Sequence, residues 1–189
     1  MRQCKYCFRN VNQFWVNFRF FVPSIINLRK KNRLFLISIS NGGADGKGRV
    51  REKELEKSCQ YLKFAEPPTV IDDQDLQDGM NTDWSSLLVA EQIKKYLKAK
   101  ASDGDEINII ITFDKYGVSK HTNHIAVHNG VCEVIQDHSF DLELYTLITV
   151  NIFRKYISFF DISLCDSFEY HLFNWNLFES WNAMSLHNS

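Results

Sequence analysis

The residues best suited to chemistry cluster in one stretch, Phe113-Asp-Lys-Tyr-Gly-Val-Ser-Lys-His-Thr-Asn-His-Ile-Ala126. His121 and His124 stand three apart at the mouth of a predicted helix, a spacing that lets both rings face one site. Placed after a strand that ends in Asp114, such a pair suits a metal ligand plus a group that stabilises developing negative charge. Ordinary loop and cap histidines are the plain alternative, and spacing alone leaves both open. His128 extends the helical spacing by four and suits a solvated position equally well. A second cluster, Asp72, Asp73, Asp75 and Asp78, gathers carboxylates that can bind a metal or hold sugar hydroxyls, or simply form a solvated acidic loop. A third segment, Asn41-Gly-Gly-Ala-Asp-Gly-Lys-Gly48, invites a phosphate-loop reading and fails it. The spacing before Gly46-Lys47 is wrong, and Gly48 stands where Ser or Thr is needed.

These three segments fall where strands hand over to helices. Leu34–Ser40 is a short apolar, β-branched run that leads into the glycine loop. A helix is predicted from Val50 to Phe64, with Val50, Leu55, Cys59 and Leu62 on its apolar face, closed by Pro67 and Pro68. Thr69–Ile71 is a brief strand entering the acidic loop. Asp83 is the expected N-cap of a helix from Trp84 to Lys98, with Leu87, Leu88, Ile93 and Leu97 apolar. Glu106–Phe113 is the clearest strand, a helix follows from about His124, and Leu142–Val150 is a further strand. Strands alternating with helices mean an α/β sandwich around a parallel sheet, where ligands bind beyond the carboxyl ends of the strands. The loops that matter are therefore 41–51, 72–83 and 114–124.

Bulk properties narrow the function. The chain has 189 residues, 22 Lys plus Arg against 23 Asp plus Glu, 44% apolar and 14% aromatic residues. That fits one globular domain and argues against a basic nucleic-acid binder, so no nucleic acid is expected as a partner. Five scattered cysteines define no disulfide framework, and Cys4-x-x-Cys7 has no second pair to complete a zinc knuckle. The apolar stretch 14–28 is shorter than a membrane span and is broken by Asn17, Arg19 and Pro23; no spanning segment and no signal peptide are expected. The aromatic tail from Tyr156 to Trp181 suits either a membrane interface or packing on its own domain.

The order of these pieces resembles the N-acetylglucosaminylphosphatidylinositol de-N-acetylase family, the PIG-L or LmbE-like zinc deacetylases. Phe35–Gly43 resembles the family's second strand and turn, Arg51–Cys59 its Arg-x-x-Glu-Leu helix, Ile71–Met80 its acidic loop, and Phe113-Asp…Gly-Val-Ser-x-His-x-Asn-His-Ile-Ala126 its most specific block. Val150–Ser158 resembles a later block of eukaryotic members, and the likeness covers residues 20–165. The resemblance implies a Rossmann-like three-layer sandwich around a mainly parallel sheet, and Zn2+ as cofactor. It also implies removal of acetate from N-acetylglucosaminyl-phosphatidylinositol at the cytosolic face of the endoplasmic reticulum membrane. By the same resemblance His124 is a zinc ligand, His121 stabilises the oxyanion, and Arg51, Asp75, Asp78 and Asp114 contact the sugar or shape its pocket.

One departure is large. The family's first strand ends in Ala-His-Pro-Asp-Asp-Glu, whereas residues 11–19 read Val-Asn-Gln-Phe-Trp-Val-Asn-Phe-Arg, with no His, Asp or Glu. The first strand is thus missing or replaced, with Phe14–Arg19 as its candidate stand-in. A single histidine does not hold a catalytic zinc that needs three protein ligands. The sequence divides into an atypical segment 1–19, a deacetylase-like domain 20–165 and an aromatic tail 166–189. The expectation is a truncated, weakly active or inactive deacetylase, or a pseudoenzyme that binds a glycolipid or a membrane partner.

Overall fold

The computed structural model describes residues 6–10, 21–79, 82–149, 169–172 and 177–186. In chain order these form β1 (Tyr6–Asn10), α1 (Val22–Leu28), β2 (Ile37–Ser38), α2 (Gly48–Tyr61), β3 (Thr69–Val70), α3 (Ser86–Ser102) and β4 (Ile109–Phe113). There follow α4 (Gly117–Lys120), α5 (Thr122–Gln136), β5 (Glu143–Leu147), β6 (Glu169–Leu172) and α6 (Leu177–Ser185). Every strand pairing is parallel, so the chain is an α/β protein.

The parallel strands fall into two sheets rather than one. β4, β5, β1 and β6 lie side by side in that order, and among the described residues β2 pairs with β3 alone. β1 aligns Tyr6 with Tyr145 on one side and Cys7 with Glu169 on the other. A strand from the atypical segment therefore enters the larger sheet between β5 and β6, and it is Tyr6–Asn10. Phe14–Arg19, expected in that role, lies outside the described residues, as do Cys4 and the block 150–158.

The layer that carries the site is α3 and α5 packed on β4 and β5. Val89, Ala90, Ile93 and Leu97 of α3 meet Val131, Val134 and Ile135 of α5 and Leu144 of β5 in one buried cluster, joined from the smaller sheet by Ile39 and Leu76. Burying a side chain of this size contributes roughly 1.5–3 kcal/mol, so this cluster fixes the position of α5 and of the loop before it. Gly130 permits the close approach of the two helices, because a Cβ there would stand 2.6 Å from Val89 Cγ1. A second cluster joins Val22, Ile25 and Ile26 of α1 to Leu62 and to Ala183 of α6.

Several expectations are corrected. Val50 and Leu87, placed on apolar faces by their spacing, are half or more exposed, whereas Cys59, Leu62, Ile93 and Leu97 are buried as expected. Both outliers lie in the first turn of a helix, on a side left open to solvent. Asp83 does not cap α3; Ser85 occupies that position and makes no side-chain cap bond. The strand predicted over 34–40 is ladder-paired only at Ile37–Ser38. No helix among the described residues is long and apolar enough to cross a membrane.

Candidate active site

The site is built from the end of β4 upward. Asp114, the first residue past the strand, accepts backbone N–H bonds from Tyr116 at 3.0 Å and Gly117 at 3.1 Å. Its carboxylate also receives the Thr149 N–H at 2.6 Å and the Thr149 hydroxyl at 2.7 Å, which ties the loop to the end of β5. The Thr149 hydroxyl oxygen in turn accepts the Val118 N–H at 3.1 Å. This network holds an unusual backbone. Gly117, Val118 and Lys120 have φ of 63°, 42° and 60°. For a β-branched residue such as Val118 that region is strained, and strain persists only where surrounding bonds over-determine it.

The turn delivers the two histidines. His121 precedes the first turn of α5 in an extended conformation and His124 follows within that turn. Their ring centroids are 4.8 Å apart. His124 lies flat on Phe113 at 3.9 Å, and Phe113 meets the edge of Phe21 at 5.1 Å. The His124 Nδ1 is 2.8 Å from the Gly117 carbonyl. A carbonyl only accepts, so the proton sits on Nδ1 and the neutral ring presents Nε2 with a free lone pair. Burial lowers the His124 pKa, and the neighbouring His121 adds to that, while the Gly117 carbonyl and Asp78 act the other way. The ring is therefore held in the neutral form, which is the form that accepts a proton or binds a metal.

The acidic loop reaches this pair through Asn123, whose amide nitrogen donates to Asp78 Oδ1 at 2.9 Å. Asn123 is buried, and among the described residues neither its carbonyl oxygen nor His121 Nδ1 has a hydrogen-bond partner. An unpaired buried polar atom costs on the order of 1–3 kcal/mol, which favours a ligand that satisfies both atoms. His121, His124, Asp78 and Asp114 thus share one corner. Arg51 and Asp75 do not join it. Arg51 folds back on the glycine loop, donating to the Gly42 carbonyl and, at 2.8 Å, to Asp45. Asp75 is exposed, its backbone N–H bonded to Asp73 Oδ1 in a tight turn. Asn41, bonded to Asp72 at 3.1 Å, links the glycine loop to the acidic loop.

Phe113, Asn123 and Thr149 complete the site without having been singled out by spacing. Asn123 lies inside the His-x-Asn-His run, so its neighbourhood was the signal. Thr149 stands 35 residues from Asp114 and gave none.

A family model described as PIG-L, GlcNAc-PI de-N-acetylase, matches residues 19–135, more than half of the chain and including the whole histidine turn. The chain belongs to the PIG-L family. The fission yeast Schizosaccharomyces pombe has a relative named a probable N-acetylglucosaminyl-phosphatidylinositol de-N-acetylase, 37% identical over 145 residues. That match covers 75% of this chain and 56% of the relative. A Dictyostelium discoideum protein of the same name is 32% identical over 180 residues, 80% of this chain and 68% of its own length. The Bos taurus N-acetylglucosaminyl-phosphatidylinositol de-N-acetylase is 32% identical over 149 residues, 76% and 56% respectively. The chain thus spans little more than half the length of the yeast and bovine proteins.

The PIG-L resemblance brings an expectation of zinc, and the described residues do not supply its ligand set. Among the described residues no group of three His, Cys, Asp or Glu side chains is placed to hold a metal ion. A catalytic zinc takes three protein ligands, and His124 supplies one nitrogen.

Proposed function

We propose that this chain is a deacetylase-family member with an incomplete catalytic centre. Its ancestry is hydrolytic removal of acetate from N-acetylglucosaminyl-phosphatidylinositol in glycosylphosphatidylinositol-anchor biosynthesis, at the cytosolic face of the endoplasmic reticulum membrane. The observation that carries the reading is the His121–His124 pair, fixed by the Asp114 turn and by Phe113 within the segment that matches the family. In this reading His124 and Asn123 face the reacting amide, His121 donates to the developing oxyanion, and Asp78 orients Asn123. Arg51, Asp75 and Asp114 shape the rim rather than the reacting centre. Zn2+ is not held by the chain alone.

The split sheet supports the same reading. We take β3-β2 and β4-β5 as two halves of one doubly wound, three-layer sandwich over residues 20–165, with 1–19 and 166–189 as additions. The vacant lane would lie between β2 and β4, where a strand ending in His-Pro-Asp-Asp-Glu would bring the remaining ligands.

A second reading, a non-catalytic glycolipid binder, draws on the lack of a three-ligand group among the described residues. Metal analysis of the purified chain together with a hydrolysis assay on N-acetylglucosaminyl-phosphatidylinositol tests both. Substoichiometric zinc and marginal turnover are expected. One zinc per chain with turnover abolished by His124→Ala would overturn the incomplete-centre reading. Headgroup binding without turnover, little changed by His124→Ala, would give the second reading the lead.

A further inference from the structure

We infer that α6, with the basic run after α1, forms a docking patch for an anionic lipid bilayer. This goes beyond the deacetylase reading, because an inactive chain would dock equally well. The helix has two unlike faces. Ser180 and Ala183 are buried, and α6 packs on α1 and α2. Phe178 and Trp181, three apart and so on one outward face, are 83% and 71% exposed, the two most exposed large apolar side chains described.

The seating of this helix places charge beside those aromatics. Glu179, between Phe178 and the buried Ser180, is paired with Arg29 at the end of α1, and Arg29 also donates to the Tyr61 carbonyl at 3.5 Å. Lys30 and Lys31 follow directly, exposed and without an ion pair among the described residues. Tyr61 and Lys63, at the end of α2, are exposed on the same corner. Glu179, a carboxylate that the contacts place within this corner, is paired with Arg29.

Exposed Trp, Phe and Tyr beside lysines that have no ion pair among the described residues match the lipid–water interface. Aromatic rings sit at headgroup level there, and cations meet acidic lipids. A soluble protein partner would be served by the aromatics but would not require the lysine fringe. The patch stands at one end of α1, and Phe21, against Phe113, at the other, about 10 Å away by helical rise.

Co-sedimentation of the full chain with vesicles tests this. Binding to phosphatidylcholine vesicles containing 30% phosphatidylserine is expected, as is weak binding to phosphatidylcholine alone. Lys30→Ala with Lys31→Ala should lower partitioning on the order of tenfold, and Phe178→Ser with Trp181→Ser should bring it to background. Quenching of tryptophan fluorescence by brominated lipid, larger in the unmodified chain than in Trp181→Phe, supports the patch even if the double variants fold poorly. Absence of binding, or binding that all variants retain, would overturn the proposal. So would a dimer dissolved by Phe178→Ser/Trp181→Ser in a chain that ignores vesicles, since the patch would then belong to a second copy. None of these results bears on turnover, so the deacetylase reading stands or falls separately.

Discussion

Two loops end parallel strands on either side of the histidine pair, and the carboxylates that they bring closest to it, Asp114 and Asp78, are used in opposite ways. After β4, Asp114 is saturated: both oxygens are engaged, by two backbone N–H groups of its own loop and by the N–H and hydroxyl of Thr149. After β3, Asp78 accepts one bond among the described residues, from Asn123, and Asp75 stays exposed. A fully occupied carboxylate builds a site, whereas a partly occupied one can still meet a ligand. The chemical identity of the residue does not distinguish the two; the count of donors around it does.

The contrast breaks most sharply at Asp114. Asp114→Ala removes the acceptor of four donors and releases the left-handed stretch that Thr149 helps to hold. A loss of about 3 kcal/mol is expected. Thermal unfolding should then show a midpoint drop of roughly 6–12 °C for a chain of this size. A drop within about 1 °C would mean that the turn holds itself and that the contrast between the loops is illusory. A smaller effect is expected at Gly117, whose φ is 63° and where a Cβ would stand 2.7 Å from Ile125 Cγ1. Gly117→Ala should cost roughly 2 kcal/mol in chemical denaturation, and should shift the His124 ring resonances because Gly117 carries the carbonyl that orients them.

How legible all this was in the sequence follows the same physical line. α3 and α5 were readable because their burial is periodic, and β4 because Ile109–Phe113 is a continuous β-branched and aromatic run; both are local information. The histidine pair was readable for the same reason, being three residues apart on one turn. Val50 and Leu87 misled because helical spacing does not say which side of a first turn its neighbours cover: Leu88 packs on the core while the adjacent Leu87 is exposed. The role of Asp114 was not readable, since its main partner Thr149 arrives from another strand. Nor was the pairing of Tyr6–Asn10 with β5 and β6, a five-residue strand whose place is set by partners far along the chain. Non-local pairings leave no spacing signature.

At Asp78 the expected effect moves from stability to binding. Asp78→Asn keeps an oxygen that can accept the Asn123 N–H, so unfolding free energy should change by no more than about 0.5 kcal/mol. The charge is lost, however, and a charge-assisted hydrogen bond to a sugar hydroxyl becomes a neutral one. Affinity for a glucosaminyl-inositol headgroup analogue, measured by titration calorimetry, should fall about tenfold. A stability loss as large as that of Asp114→Ala would make the two loops alike and remove Asp78 from the ligand-facing set.

The smallest effect is a slope rather than a drop, and it belongs to His124. Burial sets its folded-state pKa below the ordinary value of 6.5. Between those two values the unfolded chain binds more protons than the folded one, so stability rises with pH across that window. The contribution is complete above pH 6.5 and is lost progressively as pH falls below it. His124→Asn keeps an amide donor near the Gly117 carbonyl but cannot titrate. The difference between the unfolding free energies of the two proteins, followed downward from neutral pH, should therefore narrow or reverse below about pH 6.5, where the ordinary histidine protonates. A difference that stays flat would place His124 in a wetter environment than Phe113 and the Gly117 carbonyl provide. The ring would then resemble the open acidic loop rather than the stapled turn that carries it.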